Sequence, residues 1–338
     1  MLVIDGSFGE GGGQILRSAV ALATVTRTPV RIENVRAGRR RPGLARQHLT
    51  AVRAAAEVCG GRLEGAAVGS TTLEFEPGEA RPGSYRFDVG TAGSTTLVLQ
   101  TLLPALVTAP SPSRLVLEGG THNPMAPAFP FLRDTFLPLL GRMGPEVEVT
   151  LESPGFYPAG GGRLRVDVRP CAALRGIEIH DRGEIRVRRA TAIVARLPRH
   201  IGERELRQVQ KKLRWADSEL HLEEVPDARG PGNVLVLQVG SEALTETVVG
   251  FGKVGVKAET VALKAVQELR RYLKADVPVG PYLADQLLLP LALAGGGGFT
   301  TVPLSRHATT QIDLIGRFLE TPIDAETTGP DRAVVRVG

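Results

Sequence analysis

The stretch GEGGGQILRSAVALATVTRTPVRIENV, residues 9–35, runs from a glycine-rich turn into an apolar helix and then into an alternating strand. A second helical pattern, RQHLTAVRAAAEVCGG at 46–61, follows it. The same order returns twice. Residues 90–120, GTAGSTTLVLQTLLPALVTAPSPSRLVLEGG, lead to PFLRDTFLPLLGRMG at 130–144. Residues 282–304, YLADQLLLPLALAGGGGFTTVPL, lead to TTQIDLIGRFLE at 309–320. Self-similarity of this kind marks a repeated supersecondary unit, so one domain of three copies is expected. Glycines at 60–61, 141 and 295–298 stand where helices of the copies should close on left-handed caps.

Between the second and third copies the chemistry changes. The 41 basic residues comprise 35 arginines and six lysines, and all six lysines fall between 211 and 274. Here the pattern reads as a strand at 185–197, a helix at 202–214, and strands at 233–239 and 245–251. An amphipathic helix at 257–274 closes the segment, with Val261, Ala265, Leu269 and Leu273 on one face. The expected organisation is a repeated domain, 1–183 plus 277–338, interrupted by a smaller inserted α/β domain at 184–276.

A chain of 338 residues that is 42% hydrophobic and 23% charged can bury a large core. No apolar run reaches the roughly 18 residues of a membrane span. The opening Met-Leu-Val-Ile-Asp has no basic region ahead of an apolar one, so no secretory signal is expected. Cys59 and Cys171 suit neither a disulfide framework nor a zinc site, which points to a reducing cytoplasm and no structural metal. A net charge of +5 favours a polyanionic partner, and nothing calls for an obligate protein partner.

Several stretches suit phosphate chemistry. In DGSFGEGGGQILRSA, residues 5–19, five glycines open the backbone toward the positive end of a helix starting near Gln14. No Gly-Lys-Ser/Thr follows, so this is not a P-loop. Glu10 inside that loop suits a divalent cation beside phosphate, and Arg17 can reach the same oxygens. Arg36, Arg39, Arg40, Arg41 and Arg46 crowd into RAGRRRPGLARQH at 36–48. His307 stands ahead of a helix with Ile312, Ile315 and Phe318 or Leu319 on its apolar stripe. A helix N-terminus disfavours imidazolium, and a neutral ring nitrogen is a nucleophile toward phosphorus. Gln100 is an amide among leucines, an odd place unless it faces a site. THNPMAPAFPF at 121–131 supplies a flat wall for a base, and GPYLADQ at 280–286 places Tyr282 and Asp285 at the start of a helix. The other histidines, His48, His122, His180, His200 and His221, show no metal-ligand spacing.

Taken together, these pieces resemble the RNA 3'-terminal phosphate cyclase family. The segments DGSFGEGGGQILRSA, RAGRRRPGLARQHLTAV, GSTTLVLQTLLPAL, GFYPAGGG, PRHIGERE, GPGN and YLADQLLLPLALAG, with a histidine 25 residues after that tyrosine, look like its motifs in order. The resemblance runs from residue 1 to about 320. It implies a mixed α/β fold of three repeats, each a four-stranded sheet with two helices, similar to the C-terminal domain of translation initiation factor three. The inserted domain would be thioredoxin-like. It implies an ATP-dependent enzyme that makes a 2',3'-cyclic phosphate at an RNA 3'-phosphate end through a histidyl-AMP and an RNA(3')pp(5')A intermediate. On that likeness His307 is the nucleophile and Glu10 the ligand of Mg2+ or Mn2+. Arg17, Arg36, Arg39, Gln47, His48 and Gln100 are phosphate contacts. Pro127, Phe131 and Tyr282 are adenine walls, with Asp285 and Gln286 at the nucleotide's polar edge. NPMAPAFPFL departs from the family's usual run, so Phe129 is the alternative to Phe131. Cyclase-like scaffolds of ribosome assembly lack the transfer residues. Enolpyruvate transferases need lysines that the repeated domain does not have.

Overall fold

The computed structural model describes residues 1–338. Three sheets share one topology. In the first, β1 (Leu2–Asp5), β2 (Val30–Glu33), β3 (Arg62–Glu64) and β4 (Leu73–Glu76) lie in the order β1-β2-β4-β3. The β1–β2 pair is parallel and the other pairs are antiparallel. Two parallel strands need a crossover, and α1 (Gly13–Thr26) supplies it, while α2 (Arg46–Cys59) follows β2. The second repeat copies this with β5 (Ser84–Asp88), α3 (Thr95–Leu106), β6 (Ser113–Gly119), β7 (Glu146–Ser153) and β8 (Gly162–Arg169). Its second helix has three parts: α4 (Phe129–Phe131), a π turn (Leu132–Phe136) and α5 (Leu137–Arg142).

The third repeat consists of β9 (Glu178–Ile179), α8 (Pro281–Ala294), β14 (Gly297–Thr301), α9 (Arg306–Ile315), β15 (Ile323–Gly329) and β16 (Arg332–Val337). Its parallel pair is β9–β14. The third copy therefore does not lie wholly after the lysine-bearing segment, because its first strand comes before it. Two residues of strand are too few to show a period. Between β9 and α8 stand β10 (Ile185–Ala195), α6 (His200–Leu213), β11 (Leu220–Val225), β12 (Gly232–Ser241), β13 (Thr245–Phe251) and α7 (Ala258–Ala275), with sheet order β11-β10-β12-β13. Strand β11 is not among the strands expected from the sequence, although Leu220 and Leu222 alternate with His221 and Glu223.

The glycine caps hold at two positions of three. Gly60 (φ +62°) and Gly295 (φ +73°) close α2 and α8 in the left-handed conformation. Gly141 lies inside α5, and the chain turns instead after Met143, at Gly144 with φ +133°. The stripe of α9 also differs from expectation. Ala308, Gln311, Leu314 and Ile315 are buried, Ile312 is only partly covered, and the helix stops before Phe318.

One apolar core runs through all three repeats, from Ile4 and Leu22 to Leu117, Leu287 and Val335. The segment between β9 and α8 has its own core, built on Leu206, Trp215, Leu237 and Leu269. The opposite face of its sheet rests on Phe156 of the second repeat, through Ile193, Val234 and Val236. Along β13 the period of two divides the roles. Val248 and Gly250 face the unit's own core and α7, while Thr247, Val249 and Phe251 face the cleft described below. No helix is long and apolar enough to cross a membrane.

Glu205 on α6 is fully buried and takes one hydrogen bond, from Asn233 Nδ2 at 2.9 Å. Burial pushes its carboxyl up to about 7, against the pull of Asn233. The folded chain therefore holds a proton there that the unfolded chain has already released. Stability falls as pH rises from about 4.5 to about 7 and is level beyond. Glu205→Gln is expected to add about 3 kcal/mol near pH 8 and under about 1 kcal/mol near pH 5. Urea unfolding at both pH values measures the difference.

Candidate active site

The first helix of each repeat and the second helix of each repeat turn one end or face to a shared cleft of about 660 Å³. α1, α2 and α8 begin at Gly12, Ala45 and Gly280 without a side-chain cap, whereas Ser94 and Ser305 cap α3 and α9. An N-terminus without its own cap can offer N–H groups to an anion, although at α8 the Gly280 N–H is taken by Glu246.

All thirteen residues singled out for the site border this one cleft: Glu10, Arg17, Arg36, Arg39, Gln47, His48, Gln100, Pro127, Phe131, Tyr282, Asp285, Gln286 and His307. The remaining arginines of the 36–48 run, Arg40, Arg41 and Arg46, are exposed and stand outside it. Phe129 does not border it either. It is buried against His122, with ring centroids 6.4 Å apart, and lies under the Arg133 guanidinium.

The glycine loop is explained more by its neighbours than by a ligand. Gly9 has φ +55°, and a Cβ there would meet Thr310, while a Cβ on Gly13 would meet His48. The Glu10 backbone N–H donates to Thr310 Oγ1 at 3.0 Å, so it is not free for a phosphate. What the loop delivers is the Glu10 side chain. Its carboxylate is 9% exposed, pairs with Arg39, and keeps Oε2 buried with no partner.

His307 occupies the first turn of α9. Its Nε2 lies 3.9 Å from Glu10 Oε1, and its Nδ1 lies 2.6 Å from Gln14 Oε1. Gln14 Nε2 donates to the His307 carbonyl and to Gln311 Oε1, each at 3.3 Å, and Ser18 Oγ donates to Gln311 at 2.7 Å. With its amide nitrogen so engaged, Gln14 presents its oxygen to the ring. Nδ1 must then carry the proton, leaving the Nε2 lone pair open. Burial, then Arg39, then Arg17 hold the imidazole below the ordinary histidine range.

Other groups are tuned alike. Burial, with Arg17, Arg36 and Arg39 adding to it, lowers His48 to about 3, so its ring is neutral. Burial raises Asp285 to about 7 against Gln286 and Arg17. Arg17 is lowered by burial to about 10, so it stays charged at neutral pH. Gln100 Nε2 donates to Gln286 Oε1 across the cleft. Gln47 Oε1 accepts the Ser94 N–H at 3.0 Å, and Thr96 Oγ1 donates to the Pro127 carbonyl at 2.7 Å. Residue-by-residue reading missed Gln14, Ser18 and Gln311, and also Thr247, Val249, Phe251 and Glu268 of the inserted segment, which border the same cleft. The i, i+3, i+4 spacing of Gln14, Arg17 and Ser18 was the available signal for the first two.

Fold and cleft define a mixed α/β protein with four four-stranded sheets and one deep, arginine-lined cleft around a neutral histidine. The chain belongs to the RNA 3'-terminal phosphate cyclase family, whose model matches residues 8–325. It is similar to the RNA 3'-terminal phosphate cyclase of Koribacter versatilis, 51% identical over 94% of this chain and 90% of that protein. The enzyme of that name from Pseudomonas fluorescens is 51% identical over 95% and 93%. That of Ectopseudomonas mendocina is 50% identical over 99% and 96%.

The tautomer assignment has a direct check. Nitrogen-15 NMR of the ring is expected to show His307 protonated at Nδ1. Gln14→Ala is expected to lose that preference and to slow any reaction at Nε2 by about ten- to a hundredfold, one charge-assisted hydrogen bond.

Proposed function

We propose that this chain is an ATP-dependent RNA 3'-phosphate cyclase acting through a covalent histidyl-AMP. One observation carries the reading: the His307 ring is uncharged, oriented through Nδ1 by Gln14, and open at Nε2 beside Glu10. The names of the similar proteins support the overall reaction.

In the first step the Nε2 lone pair attacks the α-phosphorus of ATP. The P–N bond forms as the bond to the bridging oxygen breaks, and pyrophosphate leaves with that electron pair. The ring gains positive charge, which the Gln14 oxygen stabilises through the Nδ1 proton. An oxygen of the RNA 3'-phosphate then attacks the same phosphorus, and the electron pair of the P–N bond returns to Nε2. Finally the neighbouring 2'-hydroxyl oxygen attacks the RNA phosphorus, the bond from that phosphorus to the bridging oxygen breaks, and AMP leaves with that electron pair and takes up the hydroxyl proton through solvent, closing the cyclic phosphate. Arg17, Arg36 and Arg39 hold phosphate oxygens throughout, and guanidinium forks suit that task. Pro127, Phe131 and Tyr282 supply the surfaces on which adenine lies, with Asp285 and Gln286 at the nucleotide's polar edge.

A divalent cation fits one place. Glu10 Oε2 is a buried carboxylate oxygen without a partner, and no cluster of three acidic, histidine or cysteine side chains exists, so phosphate oxygens would complete the ion's shell. When bound, it neutralises charge on the departing pyrophosphate. Arg39 shares Glu10 and would shift toward the phosphates.

His307→Ala is expected to abolish covalent labelling by ATP carrying a labelled α-phosphate, and with it cyclisation of a 3'-phosphorylated RNA, at unchanged thermal stability. A variant that still takes label overturns the mechanism. In the wild type the neutral ring is the active form and its pKa is lowered. At saturating ATP, where the ionisation of Asp285 does not enter through binding, the labelling rate should therefore be level above the ordinary histidine value of about 6.5 and fall only below it. A rate that is still climbing above that value contradicts the assignment.

A further inference from the structure

Helix α8 is held at its start from outside. Its N-cap is Gly280 and its first residue is Pro281, so it brings no side chain to its own free N–H groups. The Gly280 N–H donates to a carboxyl oxygen of Glu246, 3.1 Å away on β13 of the inserted segment. Glu246 is 1% exposed. Gly280 has an ordinary φ of −75°, yet a Cβ on it would strike that carboxyl. The glycine is required for space, not for conformation.

The surroundings keep this joint still. The two chain crossings between the inserted segment and the repeats are tied by Arg182 and Asp276 at 2.6 Å. Arg182 lies over the Tyr272 ring at 5.5 Å, and the Tyr272 hydroxyl donates to the Pro278 carbonyl at 2.9 Å. Val277 and Val279 are fully buried. The titratable group that acts on Glu246 is Glu268 on α7, while Glu246, Arg182 and Asp276 all bear on Tyr272 of the same helix. Burial pushes the Glu246 carboxyl up to about 8, the Gly280 N–H opposing and Glu268 adding to the rise. At neutral pH it is an uncharged acid, and its carbonyl oxygen still accepts the Gly280 hydrogen.

The first two turns of α8 carry Tyr282, Asp285 and Gln286 into the cleft. We propose that Glu246 is a positioning residue: delivered by the inserted segment, it anchors the N-cap residue Gly280 through that residue's own N–H and so sets Tyr282 and Asp285 at the start of α8 for the nucleotide. The inserted segment thereby becomes part of the nucleotide site. This rests on the reading of the cleft as the ATP site.

The test uses full-length Glu246→Ala and Glu246→Gln, since glutamine keeps the shape and the acceptor without ionising. Hydrogen exchange is read, without nucleotide, at the amides of Gly280 and of Ala284, which donates to the Gly280 carbonyl at 3.0 Å, and KM for ATP is read from covalent labelling. In Glu246→Ala those amides should exchange about tenfold faster with α1 and α9 unchanged. KM for ATP should rise about tenfold with the saturating rate within about twofold, because His307 is on α9 and not on α8. Glu246→Gln should match the wild type in both. Unchanged exchange or KM in the alanine variant, equal loss of protection in every helix, or a glutamine variant as impaired as alanine overturns the proposal. A wild type that takes no label overturns the cyclase reading instead, and the exchange data still decide whether Glu246 anchors Gly280.

Discussion

The cleft depends on keeping one imidazole uncharged beside a carboxylate. Glu10 lies 3.9 Å from His307 Nε2 and by itself would favour imidazolium. Arg39 pairs with that carboxylate and Arg17 stands near the ring, so the local field is positive, and burial acts in the same direction. Burial first, and then Arg39 and Arg17, hold the ring below the ordinary histidine range, so the lone pair survives at Nε2. The same arginines lower His48 and then remain available to phosphate oxygens.

This arrangement can exist because three copies of one unit meet there. The helix after the first strand is α1, α3 or α8, and it brings Gln14 and Arg17, Gln100, or Asp285 and Gln286. The helix after the second strand is α2, α4 or α9, and it brings Gln47 and His48, Phe131, or His307. Equivalent positions carry different chemistry. The repeat supplies the packing geometry, and its divergence supplies a nucleophile, an anion cradle and a flat apolar wall. The segment between β9 and α8 closes the cleft with Thr247, Val249 and Phe251 from one face of β13.

Much of this was legible along the chain because helix and strand periods are local. The recurring order of a glycine-rich or turn-rich entry, an apolar helix, a strand and a second helix exposed the repeat, and the confinement of lysine drew attention to the inserted segment. Where the reading slipped, the deciding contact was distant in sequence. Strand β9 has two residues and exists as a strand because β14, more than 110 residues on, pairs with it. Gly141 looks like a cap, but the π turn before it carries the helix through to Arg142. Arg36 and Arg39 belong to the cleft and Arg40, Arg41 and Arg46 do not, a division that no feature of RAGRRRPGLARQH announces.

From its sequence alone this protein had a mixed α/β repeated architecture, a family, and a set of polar residues worth watching. These follow from spacing, glycine placement and motif order, which are properties of the chain itself. Only the tertiary structure decided which ring nitrogen is free, which carboxyl groups keep their protons, and that a glutamate of the inserted segment accepts the N–H of Gly280 just ahead of α8. Those outcomes are set by burial and by neighbours hundreds of residues apart, Gln14 and His307 being 293 positions from each other. An electrostatic environment belongs to a place in space, and no stretch of sequence contains it.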